Sequence, residues 1–193
     1  MTTKKKPERK EPYEVLFRIQ RGLAGHISYL AACEANTTFS EYVLYEPVLR
    51  ILMARGYSGV CEFPCPGIPK PARGDRKKVD FEANNSGLRF ALEVKWVKRD
   101  KRLIIKGDYD KLVAFHGDDP KAFCFLCIFG PLSALEKSIP LAERFVECGK
   151  PVVADFKRTK YGCRIYELDY TSISKSASKK RSGSRARGGS RRR

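Results

Sequence analysis

Histidine is nearly absent from this chain of 193 residues, which holds only His26 and His116. Mechanisms that need an imidazole base with its partners, histidine-based nucleases and Ser-His-Asp hydrolases among them, are therefore hard to build. Long apolar runs are missing as well. The longest, Ala122 to Phe129, has eight residues, whereas a helix needs roughly 20 to span a bilayer, so no membrane partner is expected. The opening stretch, Met1 to Pro12, is basic and polar with no apolar segment behind it and does not read as a secretory signal. The expected location is cytoplasmic, nucleoid-associated if the source is bacterial, with the seven cysteines reduced. Their number is odd and their spacing irregular. Cys124 and Cys127, three apart in a strand-like run, would point to opposite faces, which suits buried free thiols better than a zinc site.

Acidic residues are scarce relative to basic ones, 22 Asp+Glu against 39 Lys+Arg, for a net charge of +17. The distribution is uneven. Thr171 to Arg193 carries nine basic residues and no acidic one, and Met1 to Pro12 contributes +3, which leaves +5 for the body between them. A segment such as Arg181-Ser-Gly-Ser-Arg-Ala-Arg-Gly-Gly-Ser-Arg-Arg-Arg193 cannot bury enough apolar surface to offset its ordering entropy, so a disordered arm with a polyanionic partner is expected. Nucleic acid is the commonest such partner. With 42% apolar residues, the body has enough for one globular core.

Along that body, Tyr13 to Ala35 reads as a packing helix, with apolar residues at helical spacing from Val15 to Leu30. Thr38 and Glu41 have capping-box spacing and open a second helix that stops at Gly56, with Pro47 inside it or starting it. Ser58 to Phe63 suits a strand. Pro64 to Lys78 is a proline-rich loop bearing Lys70, Arg73, Arg76, Lys77 and Lys78, a candidate DNA-facing surface. Two strands follow, Lys77 to Glu82 and Leu88 to Trp96, around the turn Asn84-Asn85-Ser86-Gly87. A helix from about Ile105 to His116, a buried strand from Lys121 to Phe129, a Pro140-broken helix reaching Cys148 and two short strands near 151–155 and 163–168 complete the domain. The core order is α-β-β-β-α-β. Four parts are expected: a basic arm (1–12), an N-terminal helix (13–37), an α/β domain (38–170) and a basic tail (171–193).

The hairpin concentrates the chemistry. Alternation along Leu88 to Trp96 puts Leu88, Phe90, Leu92, Val94 and Trp96 on a core face and Arg89, Ala91, Glu93 and Lys95 on a charged face. In the preceding strand Val79 and Phe81 point to the core, and Asp80 and Glu82 to the charged face. With a Ser86-Gly87 loop, Asp80 lies opposite Glu93; with Asn85-Ser86 it lies diagonal to Glu93, at roughly 7 to 8 Å. Either register brings two carboxylates onto one patch, where they repel unless a cation lies between them. A hard divalent ion held by Asp80, Glu93 and the Val94 carbonyl resolves this, and Mg²⁺ (or Mn²⁺) suits a site with so few protein oxygens. Such an ion activates water and neutralises charge on phosphate, and Lys95 stands beside the same oxygens as base or as stabilising cation. Glu-x-Lys alone is a weak signal, expected roughly 1.3 times by chance in this composition, and Glu8-Arg9-Lys10 is a second copy. Context distinguishes the hairpin copy: apolar flanks at Val94 and Trp96, a partner Asp80, and an upstream helix carrying Glu46.

These residues resemble the PD-(D/E)xK phosphodiesterase superfamily, the restriction-endonuclease-like nucleases. The resemblance covers about Thr38 to Gly130. It places the superfamily's Asp on Asp80, its Glu and Lys on Glu93 and Lys95, and a first-helix acid on Glu46, ten residues before Gly56, with Glu41 as the runner-up. The stretch Asp108-Tyr-Asp-Lys111-Leu112 matches one found in the helix after the Lys in many members, although read as charges alone Asp108 and Lys111 look like a helix-start residue and a surface pair. Val79 replaces the eponymous Pro, and Asp75 is a weaker alternative to Asp80. The resemblance implies an α/β domain with a mixed central sheet flanked by helices, an endonuclease hydrolysing DNA phosphodiester bonds with Mg²⁺ or Mn²⁺; the alternative is a catalytically inactive DNA- or RNA-binding module of the same fold. A homodimer is left open. The tail arginines Arg181, Arg185, Arg187, Arg191, Arg192 and Arg193 join the loop as expected DNA contacts.

Overall fold

The computed structural model describes residues 12–35, 40–98, 103–137, 144–156, 159–171 and 173. Four α-helices and seven strands are formed among them: α1 (Tyr13–Ala32), α2 (Tyr45–Ala54), β1 (Ser58–Pro64), β2 (Lys78–Asn85), β3 (Leu88–Trp96), α3 (Lys106–Asp118), β4 (Phe123–Pro131), α4 (Leu132–Lys137), β5 (Phe145–Glu147), β6 (Val152–Phe156) and β7 (Thr159–Leu168), with a 3₁₀ turn at Glu41–Leu44 leading into α2. From α2 to β4 the order is α-β-β-β-α-β. The strands form one mixed sheet in the order β1-β2-β3-β4-β7-β5, with β6 also paired to β7. Only β3 and β4 run parallel, and α3 makes the crossover between them, as a parallel pair requires.

Alternation splits the sheet into two apolar faces. Along β4, Phe125, Cys127 and Phe129 join the cluster under α1 and α2, while Cys124, Leu126 and Ile128 join the cluster under α3. Helix α1 belongs to the same body: Val15, Leu16, Ile19, Leu23 and Ile27 are buried in the first cluster, and buried Gln20 donates to the Cys163 carbonyl of β7 at 2.7 Å. Pro47 falls in the first turn of α2, where its missing N–H costs nothing. Thr38 and Pro140 lie outside the described residues.

Three expectations change. The helix expected through Pro140 to Cys148 is the short α4, and Phe145–Glu147 is instead a strand on β7; its three residues are too few to show a period. The charged face of the hairpin is not solvated, because the crossover lays α3 across it, and Ala91 and Glu93 are buried there. Val79 and Phe81 do not share a cluster: Phe81 lies under α1 and α2, Val79 under α3. Between their partners on β1 lies Glu62 at φ +52°, in the left-handed region, and this kink re-aims the strand pair around Asp80.

Candidate active site

The hairpin turn sets the register. Ser86 and Gly87 both have positive φ, 50° and 86°, the signature of a two-residue I′ turn that matches strand twist. Asn85 therefore pairs with Leu88, and the ladder runs to Phe81 opposite Leu92, where it stops. Within a strand, the N–H and C=O of residues two apart point to the same side. Beyond Leu92, the Val94 and Trp96 amides thus face the side of β2 with no ladder partner there, and buried amides need acceptors. Carboxylates supply them: Val94 N–H donates to Asp80 Oδ2 at 2.7 Å, and Trp96 N–H donates to Glu41 Oε1 at 3.1 Å. The Tyr45 hydroxyl lies 2.9 Å from Asp80 Oδ1 and 3.1 Å from Glu62 Oε1.

On the α3 side, Glu93 is 1% exposed. Its Oε2 accepts from Lys111 Nζ at 2.5 Å, and its Oε1 is buried with no hydrogen-bond partner. Asp108 receives Lys95 at 3.0 Å and Lys111 at 3.4 Å, and Lys95 Nζ lies 3.9 Å from Glu41 Oε1. Glu41, Glu93 and Asp108 thus share two lysines, while the fourth carboxylate, Asp80, is held by the Val94 amide and the Tyr45 hydroxyl.

The electrostatics follow from that imbalance. Burial, then the charge of Asp80, push the Glu93 carboxyl up to about 9 against the pull of Lys111. Burial also raises Asp80, opposed by its bonds to Val94 and Tyr45. For both lysines burial works downward, but the surrounding carboxylates, Asp108 foremost for Lys95 and Glu93 for Lys111, outweigh it and hold them protonated.

The structure brings Asp80, Glu93 and Lys95 together with Val94, whose amide rather than its carbonyl makes the visible contact. It does not bring Glu46 there. Glu46 is 60% exposed and ion-paired to Arg50 on the outer face of α2; the acid that reaches the cluster is Glu41, in the 3₁₀ turn that leads into α2. Asp108 and Lys111, read as surface charges, are turned inward; their three-residue spacing on the crossover helix was the available signal. Asp75 is exposed in the loop. The expected DNA-facing residues Lys70, Arg73, Arg76, Lys77 and Lys78 are all exposed. Their loop is closed at its base by Cys65 N–H to Lys77 O at 2.8 Å, and Gly67, at φ +73°, lets it approach Ala114 of α3. The tail arginines lie outside the described residues.

No helix among the described residues is long and apolar enough to cross a membrane. No protein-family model and no curated protein matches this chain in sequence.

Proposed function

We propose that the protein is a divalent-metal-dependent DNA nuclease of the restriction-endonuclease-like fold, cutting within DNA. The observation that carries this reading is the buried, under-neutralised carboxylate cluster at the point where β2 and β3 part. Four carboxylates face only two lysines, one of the four, Glu93, is pushed up to about 9, and its Oε1 atom, buried without a partner, is the kind of oxygen a hard cation takes up in place of that proton. Asp80 and Glu93 would hold the ion, with the Val94 carbonyl directed into the same gap, and Glu41 and Asp108 behind them. When bound, Mg²⁺ or Mn²⁺ would lower the pKa of a water and neutralise charge on a phosphate.

The protein's own residues set the rest. Lys95, kept charged by Asp108 and Glu41, fits a phosphate-stabilising role better than that of a proton acceptor at neutral pH. Lys111 and the Val94 and Tyr45 donors fix the two carboxylates before any cation arrives, which lessens the reorganisation required on binding. The exposed basic loop and the basic tail supply sequence-independent attraction to phosphate.

Plasmid cleavage in Mg²⁺ is the test. Wild-type protein should nick or linearise plasmid and lose the activity in excess chelator, while Asp80→Asn and Lys95→Ala should bind DNA without cutting it. Cutting by either variant near the wild-type rate, or by wild type in chelator, would sink the proposal in favour of an inactive binding module.

A further inference from the structure

Beside the cluster, at the end of β3, is a cavity of about 360 Å³ whose lining includes Glu41, Lys95, Trp96, Lys98, Leu103 and Ile104. It shares Glu41 and Lys95 with the candidate active site, so a phosphate placed at Lys95 has its attached nucleoside within reach of the opening. The walls are of two kinds. Lys95 and Lys98 are cations, whereas Trp96, Leu103 and Ile104 are apolar, and Ile104 is 74% exposed. A large apolar side chain left in water next to cations, on a rim the core does not need, suits a ligand with one charged and one flat apolar part. The indole is also held in place. Trp96 packs on Phe129, with ring centroids 4.8 Å apart, and stacks on Tyr161 at 5.9 Å with 29° between the planes, so its orientation is fixed by neighbouring rings. The volume lies at the low end of the roughly 300 to 1,000 Å³ typical of ligand pockets, on the scale of one nucleoside.

Resting on the nuclease reading above, we infer that this cavity receives a single unpaired nucleobase adjoining the phosphate at Lys95, which makes the preferred substrate DNA carrying an unpaired nucleotide at the cleavage point. A base inside a duplex is stacked on both faces and paired, and would have to leave the helix to enter; an unpaired base pays little for doing so.

Trp96 is the only tryptophan in the chain, so its fluorescence reports on the cavity wall without any catalysis. The probes, used with full-length protein in chelator, are oligothymidylate, a fully paired duplex, the same duplex with one extrahelical thymidine, and that duplex with an abasic residue at the extrahelical position. Oligothymidylate and the extrahelical thymidine should quench Trp96, and the paired and abasic duplexes should bind without quenching it. Ile104→Ala, which removes apolar surface from the exposed rim, should weaken binding of the extrahelical-thymidine duplex several-fold and leave the paired duplex unchanged. Equal quenching by the paired duplex, or equal affinity for the abasic one, would overturn the inference. Cleavage of the same duplexes in Mg²⁺ separates the two readings: quenching without cleavage of any duplex defeats the nuclease and keeps the base cavity, whereas cleavage with neither quenching nor preference for the unpaired nucleotide defeats the cavity alone.

Discussion

Lys111 Nζ on α3 lies 2.5 Å from Glu93 Oε2 on β3, and the two side chains are only 15% and 2% exposed. This ion pair ties the crossover helix to the strand at the floor of the site. Its partners are unequal, since Lys111 also reaches Asp108 at 3.4 Å while Glu93 has no other donor for its second oxygen.

Removing the lysine should therefore cost much more than removing a surface charge. Lys111→Met is expected to lower unfolding free energy by about 3 kcal/mol above pH 9, where Glu93 is ionised beside it, as for other buried pairs deprived of one member. The double variant Glu93→Gln with Lys111→Met should recover most of it. Urea denaturation of the four proteins measures this, and a single-variant loss below about 1 kcal/mol would place the pair with ordinary surface salt bridges.

Stability should fall as pH rises. The Glu93 carboxyl moves from its ordinary 4.5 to about 9 on folding, and Asp80 shifts the same way, so between those values the folded chain holds protons that the unfolded chain releases. The stabilisation is complete below about 4.5 and is lost as pH climbs through about 9. Melting in chelator should show Tm declining from mildly acidic to alkaline buffer, with much of the slope removed in Glu93→Gln. Each kcal/mol corresponds to about 2 to 4 °C for a chain of this size. A Tm that rises over the same interval would contradict the assignment.

Among acids of the second helical segment, Glu41→Gln should reduce Mg²⁺-dependent turnover by about tenfold or more and Glu46→Gln by less than about twofold, since typical losses for groups near a metal site run to 10–100-fold. Single-turnover cleavage at saturating DNA is the measurement. The reverse order would restore Glu46 to the role expected from its spacing to Gly56.

The basic tail should act on affinity and not on chemistry. Ile173 packs against the α3-side cluster, so truncation should begin at Ser174, which still removes nine basic residues. Each phosphate contact contributes about 0.9 to the slope of log affinity against log salt on duplex DNA, and the slope should become shallower by several units on two unrelated duplexes alike. An unchanged slope would assign DNA attraction to the loop from Lys70 to Lys78.

The juxtaposition of Asp80, Glu93 and Lys95 was legible because a period of two and one tight turn determine which strand residues meet, and Ser86-Gly87 set the register in which Asp80 approaches Glu93. The inward placement of Asp108 and Lys111 was not legible from residue type. A charged residue on a short amphipathic helix reads as solvated unless the partner across the crossover is known, and that partner, Glu93, lies 18 residues before Lys111. Glu46 and Glu41 differ by little in sequence and by the 3₁₀ turn in space; no periodicity distinguishes a helix that begins at Thr38 from one that begins at Tyr45. The strand Phe145–Glu147 owes its conformation to β7, a long-range partner, so local pattern could not reveal it.

The peptide hydrogens of Val94 and Trp96 are bonded to carboxylates where neighbouring strand positions use backbone carbonyls. Their exchange with deuterium is therefore tied to the state of two side chains: protonating Asp80 or drawing its oxygens toward a cation loosens the Val94 amide, while Leu92, inside the ladder, stays protected. Those two amides thus form a built-in gauge of site occupancy, readable residue by residue in the isotope spectrum of the intact protein with no substrate present.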